Sequence, residues 1–309
     1  MSILFLLNAC DDGDVAVQDI SFESATGAIC GSLAYKIKGN EVLIINFKDI
    51  SKALINDQTK PKEPIVLNIT DNSVTYRAYN AVPTAANFCG ALPPASPIVV
   101  EEWTATGGTI EITSTTSKTT STATTGNLNA ETIDGYNQLI ILRNITFKKP
   151  NGEQFYEELR FGNIKSDFTP LNLTFNLQDI ERCTVSGNNN LTARNGISTL
   201  ISFNNITNLI QNTVTTTPRV AAISAPNNLY YRVFTNFDVI ASKCALTYAT
   251  TDTSLKQEWK ATSGSVEVIT TSSGAVFIHK VYLKGVRFQK GNSEFYLGDD
   301  FLLGEISTN

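Results

Sequence analysis

The chain has 309 residues, 42% of them hydrophobic and 17% charged, a balance that excludes a disordered polypeptide and suits globular domains with sizeable cores. The formal net charge is -5 and the basic residues are scattered, Lys148-Lys149 being the nearest thing to a cluster, so no stripe exists to neutralise the phosphates of a nucleic acid. Thr, Asn and Ser are abundant and strong helix formers sparse, which predicts an all-β protein; the length suggests about two domains of roughly 150 residues each.

At the amino terminus an apolar run, Ile3-Leu4-Phe5-Leu6-Leu7-Asn8-Ala9, leads into Cys10. Leu7-Asn8-Ala9-Cys10 resembles the lipobox of a bacterial lipoprotein, with residues 1–9 as a partial signal peptide. The resemblance implies cleavage before Cys10 and acylation of its sulfur and new amino group, which would anchor the protein to a membrane without spanning it. The rival reading is a free cysteine in a fraying terminus. Asp11-Asp12-Gly13-Asp14 completes a tether over residues 10–14. Acidic residues directly after the lipidated cysteine look like the export signal of surface-displayed lipoproteins in Bacteroidota; a solvated tether is the alternative for Asp11, Asp12 and Asp14.

From residue 15 onward the same landmarks occur twice. The first set is Cys30, Tyr76-Arg77-Ala78-Tyr79, Cys89, Glu102-Trp103-Thr104-Ala105-Thr106 and Phe155-Tyr156. The second is Cys183, Tyr231-Arg232-Val233-Phe234, Cys244, Glu258-Trp259-Lys260-Ala261-Thr262 and Phe295-Tyr296. A repeat of this kind predicts two tandem copies of one β-sandwich-like domain, residues 15–164 and 167–306, joined by a brief linker containing Pro170.

Within the repeats the apolar pattern has the period of strands. Val42-Leu43-Ile44-Ile45-Asn46-Phe47 and Leu200-Ile201-Ser202-Phe203 read as core strands, whereas Thr109–Thr113 and Ser265–Val268 alternate strictly. Leu142–Phe147 and Leu283–Phe288 alternate too, each followed by turn chemistry at Lys149-Pro150-Asn151-Gly152 and Lys290-Gly291-Asn292-Ser293. Helical spacing after Phe47 (Ile50, Ala53, Leu54) and after Phe203 (Ile206, Leu209, Ile210) predicts one short helix per repeat. The repeats differ most at Thr113–Gly135, where eleven of the first thirteen residues are Ser or Thr; a protruding two-stranded arm is expected there, with a disordered glycosylated loop as the rival.

Four cysteines reproduce their spacing: Cys30 to Cys89 is 59 positions and Cys183 to Cys244 is 61, which predicts one disulfide in each domain. Closing a loop of about 60 residues contributes roughly 4 kcal/mol by restricting the unfolded chain. Such bonds imply an oxidising compartment. Metal ligation is the competing use of the cysteines, but no CxxC occurs and His279 is the sole histidine. No metal or cofactor is expected. Taken together, Cys-Asp-Asp-Gly-Asp after the lipobox and the duplicated Cys and Glu-Trp landmarks resemble a family of flavobacterial (Bacteroidota) lipoproteins. That resemblance covers most of the chain and implies no particular activity.

Trp103 and Trp259 are the candidate ligand-binding aromatics, with core packing as the competing role. Arg77 and Arg232 are expected to point outward and meet Glu102 and Glu258. For catalysis the pattern is poor: Glu101-Glu102, Glu157-Glu158 and Asp299-Asp300 are adjacent, so on a strand each pair points to opposite faces. The expectation is therefore a non-catalytic lipoprotein of the outer membrane facing the cell exterior, structural, adhesive or ligand-binding towards a protein or glycan. An accessory glycan-binding protein of a nutrient importer is the alternative, and a hydrolase with acids drawn from several strands a third.

Overall fold

A computed structural model describes residues 20–122, 128–166, 168–175, 180–185, 188–195, 199–203, 206–225, 227–235 and 254–309. Cys10, Asp11, Asp12, Asp14 and Cys244 lie outside the described residues. The fold is nearly all β. The first half supplies β1 (Gly27–Cys30), β2 (Leu33–Lys38), β3 (Glu41–Asn46), β4 (Ile65–Asn68), β5 (Ser73–Tyr79), β6 (Val99–Thr120), β7 (Glu131–Lys149) and β8 (Gly152–Ser166). The second supplies β9 (Ile180–Val185), β10 (Asn188–Asn195), β11 (Thr199–Phe203), β12 (Arg219–Ala222), β13 (Leu229–Phe234), β14 (Leu255–Ser273), β15 (Val276–Lys290), β16 (Ser293–Tyr296) and β17 (Phe301–Thr308).

Each half forms one large curled sheet, not the two facing sheets of a sandwich. In the first, the order is β1-β2-β3-β5-β6-β7-β8, with β4 also on β6. In the second it is β9-β10-β11-β13-β14-β15-β16, with β12 on β14 and β17 on β15. β17 returns against β9, which curls that sheet towards closure and reduces its exposed edge. The register also matches: Tyr76 faces Trp103 and Arg77 faces Glu102, while Tyr231 faces Trp259 and Arg232 faces Glu258. A bulge follows at Ala78/Tyr79 in one sheet and at Val233/Phe234 in the other. Gly108 and Gly264 repeat a further constraint, since a Cβ at either would lie 2.7 or 2.8 Å from the carbonyl oxygen of Arg143 or Lys284, at positive φ.

The expected helices reduce to single turns. Ile50–Ala53 forms α1, and Leu209 and Ile210 donate backbone hydrogen bonds to Ile206 O, while an unforeseen turn, α2, covers Ala86–Cys89. Cys30 and Cys89 form the expected disulfide, with Cα atoms 6.0 Å apart. Cys183 is also disulfide-bonded.

Two compact units divide the chain differently from the repeat boundary. One contains residues 1–50, 66–111 and 139–164; the other contains 51–65, 112–138 and 165–309. The far ends of β6 and β7 thus belong with the second half. Apolar burial is the reason: Ile133 and Tyr136 on β7 have no exposed surface and join the core of Trp259, Phe288, Phe295, Phe301 and Leu171. The Ser/Thr-rich arm is an ordered ribbon up to Thr120 and is docked, not protruding. Replacing Tyr136 by Ala is expected to remove about 3–5 kcal/mol of stability by leaving a cavity under the arm, read as a lowered denaturant midpoint of the full chain. An unchanged midpoint would show that the arm is not docked.

Candidate functional site

The duplicated landmarks build two similar clusters, one in each sheet. Trp103 and Trp259 are wholly buried, so neither is a surface for stacking a sugar; the ligand-binding reading of these two residues is corrected to core packing. Their indole N–H groups need partners once buried. Trp103 Nε1 donates to Glu101 Oε1 at 2.7 Å and Trp259 Nε1 to Gln257 Oε1 at 3.1 Å, in both cases from Trp to the residue two places earlier on the same strand face. A lysine covers each ring: Lys149 Nζ lies 4.7 Å from the centroid of Trp103, and Lys290 Nζ lies 5.0 Å from that of Trp259. Such contacts contribute about 0.5–2 kcal/mol, most where the cation is desolvated. Both lysines end hairpin strands at the same place after Phe147 and Phe288, a signal present in the sequence but not legible without the pairing.

The arginine expectation holds for partners but not for exposure. Arg77 Nε donates to Glu102 and Arg232 Nε to Glu258, each at 2.6 Å. The Arg77 side chain is 30% exposed, but that of Arg232 only 1%, and its guanidinium stacks 4.4 Å from the Tyr230 centroid. Loss of Glu258 would therefore remove the carboxylate 2.6 Å from a buried guanidinium, which costs more than the fraction of a kcal/mol expected at a surface.

Around the second core, the segment 51–65 is clipped in place by a carboxylate. Asp57 Oδ1 accepts from Gln58 N at 2.8 Å, Ser293 N at 2.9 Å, Ser293 Oγ at 2.6 Å and Asn292 N at 3.1 Å. Gly291 permits this approach, because a Cβ there would lie 1.8 Å from Asp57 Oδ2. Lys290 Nζ donates to Asn56 O at 2.7 Å. On the arm, Glu131 Oε2 accepts from Lys118 Nζ and Tyr296 N, both at 3.0 Å, and Asn129 Nδ2 donates to Asp299 Oδ2 at 2.9 Å. Burial pushes the Tyr136 hydroxyl up to about 12.

Among the described residues of this unit, cavities include the following three. One of about 440 Å³ is lined by Thr119, Ser121 and Thr132 from the arm, by Asn172, and by Leu171, Leu297 and Phe301. A second of about 370 Å³ shares Leu173, Thr174 and Phe301 with it and adds Tyr282 and Asp300, whose Oδ2 meets Lys284 Nζ at 2.7 Å. A third of about 390 Å³ is lined by Asn56, Phe168, Thr169, Lys256, Gln257 and Lys290. All three are in the size range of small-molecule sites.

His279 is the candidate titrating group of a buried polar layer, and it is fully buried. Thr308 Oγ1 donates to Asn212 Oδ1 at 2.5 Å and so accepts from His279 Nε2 at 2.8 Å; Arg219 donates to Thr270 Oγ1, which in turn donates to Nδ1 at 2.8 Å. This wiring assigns the neutral tautomer with its proton on Nε2. Its counterpart in the first half, Gln138, donates to Ile55 O at 2.8 Å, so the position is a polar cross-tie in both halves. Neighbouring Thr59–Ser114 and Thr215–Thr270 repeat the same backbone link, each N···O distance being 3.0 Å. No family model, curated protein or solved structure matches the chain. No helix among the described residues is long and apolar enough to cross a membrane.

Burial, with Arg219 and Arg182 adding repulsion, holds the His279 pKa below its ordinary value of 6.5. Because the unfolded chain binds the proton more readily, the stability associated with neutral His279 is complete above about pH 6.5 and declines as pH falls below it. His279→Gln, which copies Gln138, should flatten the fall in denaturant midpoint between about pH 7 and 5. An unchanged slope in that variant would assign it to other groups.

Proposed function

We propose that the chain is a non-catalytic, lipid-anchored module of the bacterial outer membrane, displayed towards the cell exterior, that binds a glycan or protein. The anchor is Cys10, the tether and export signal are Asp11, Asp12 and Asp14, and the body is two tandem copies of one β domain. Matching strand order, Tyr–Trp and Arg–Glu register and the paired Trp–Lys stacks support the duplication. The shared residues of the two halves maintain cores, which suits a scaffold whose specificity lies where the halves differ.

The observation that carries the binding reading is the groove beneath the arm. It joins the polar residues Thr119, Ser121, Thr132 and Asn172 to the apolar residues Leu171, Leu297 and Phe301. Polar and apolar residues lining one groove match the two kinds of face that a neutral sugar presents. This favours a glycan ligand, as in an accessory protein of a nutrient-uptake system.

With a full signal peptide supplied, wild-type protein should incorporate radiolabelled palmitate and Cys10→Ala should not; label persisting in the variant removes the anchor from this reading. Binding is tested separately on an array of neutral glycans, where Ala130→Trp, a substitution at a residue that lines the groove, should abolish the wild-type signal. Retention of that signal would remove the groove from the reading.

A further inference from the structure

We infer that the cavity over Lys290 is an oxyanion site, suited to a carboxylate carried on a sugar-sized ring. The inference deepens the binding-module reading but uses a cavity with different lining residues from the groove beneath the arm. Two ammonium groups line it. Lys290 is held in one orientation by its hydrogen bond to Asn56 O and by the faces of Trp259 and Tyr136, at 5.0 and 5.8 Å. Lys256 is exposed and has no carboxylate partner among the described residues. Asp57, whose Oδ1 receives the N–H groups of Gln58, Asn292 and Ser293 and the Ser293 hydroxyl, also acts electrostatically on Lys290 and offsets part of its charge, which leaves Lys256 as the cation that sets the sign of the cavity. Gln257 Nε2 donates to Thr169 O at 3.3 Å while its Oε1 accepts from Trp259, so these two residues form a fixed polar wall beside the apolar wall of Phe168.

Comparison of the two halves isolates the charge. Counting back from each tryptophan, Val100-Glu101 stands before Glu102-Trp103 where Lys256-Gln257 stands before Glu258-Trp259. The first pair carries a formal charge of -1 and the second +1, a difference of two at matching positions beside the same Trp–Lys stack. In the first half the lysine is also met by a side chain, Lys149 Nζ donating to Gln154 Oε1 at 3.4 Å. In the second, the residue after Ser293 is Glu294, which is exposed and pairs with Arg287 instead. The core requirement, a hydrogen-bond acceptor for the indole, is met by either Glu or Gln. The change to Lys256 and Gln257 therefore alters the cavity's charge without being needed for packing, and with Lys290 partly offset by Asp57 it is the added Lys256 that makes the cavity select an anion.

The test measures binding of D-glucuronate, D-glucose and sulfate to the mature full chain by calorimetry at constant ionic strength. Glucuronate should bind, glucose should not compete, and Lys256→Glu should weaken glucuronate by about tenfold or more. Lys256 is exposed, so that variant keeps the fold; an unchanged thermal midpoint checks this. Glucuronate tighter than sulfate assigns the site to an acidic glycan, and equal binding assigns it to a free inorganic oxyanion. The inference is overturned if glucuronate binds no better than glucose, or if Lys256→Glu leaves its affinity unchanged. It is also overturned if Lys256→Gln lowers the thermal midpoint while wild type ignores all three probes, since a carboxylate of the chain itself then already neutralises the lysine. Glycan-array binding through the groove involves none of these residues and remains readable in every case.

Discussion

A buried indole N–H must find an acceptor, and in both sheets this requirement organises the surrounding strand. Trp103 and Trp259 each take theirs from the side chain two residues earlier, which fixes the face of β6 and β14 that points inward. With that face set, Tyr76 and Tyr231 stand opposite the tryptophans across the strand pair, and the neighbouring Arg–Glu pairs follow in register on the other face. A one-residue slip would expose the tryptophan and bury the glutamate, so the register has a large energetic margin. The lysine over each ring then completes the desolvated side with a cation instead of leaving a polar gap.

One inserted residue shows how strict that period is. The connection from Phe147 to Phe155 is one residue longer than that from Phe288 to Phe295. In a strand one residue reverses the face, and the same Phe-Tyr dipeptide behaves oppositely: Phe155 is 58% exposed, whereas Phe295 is fully buried and stacked on Phe288 at 5.2 Å. Tyr156 meets Phe147 edge-on at 6.2 Å in the first half. Differences between the halves therefore fall at turns and at residues flanking the core landmarks, Lys256 and Gln257 among them.

The docked arm has a different physical basis. A ribbon of Ser and Thr gains little by itself from burial, but Ile133 and Tyr136 interrupt it on one face and give it a core to join. The Asp57 carboxylate then locks the segment 51–65 through three donors of Asn292 and Ser293, and Gly291 is the residue that leaves room for it. The result is a unit in which chain from the first half lines cavities that the second half could not form alone.

The sequence by itself determined the all-β class, the strand positions, the Cys30–Cys89 bond and the matched landmarks, because period-2 burial and cysteine spacing are local patterns that survive in one dimension. It also indicated that Arg77 and Arg232 meet Glu102 and Glu258, since facing residues on neighbouring strands follow from hydrophobic register. Tertiary structure alone decided that Trp103 and Trp259 are sealed from solvent, that Arg232 is buried where Arg77 is not, and that one curled sheet replaces a sandwich in each half. It alone joined residues 51–65 and 112–138 to the second unit and brought Lys290, Lys256, Asn56 and Phe168 to one cavity. Those outcomes depend on which apolar faces meet across hundreds of positions, and no local periodicity encodes the partner of a face.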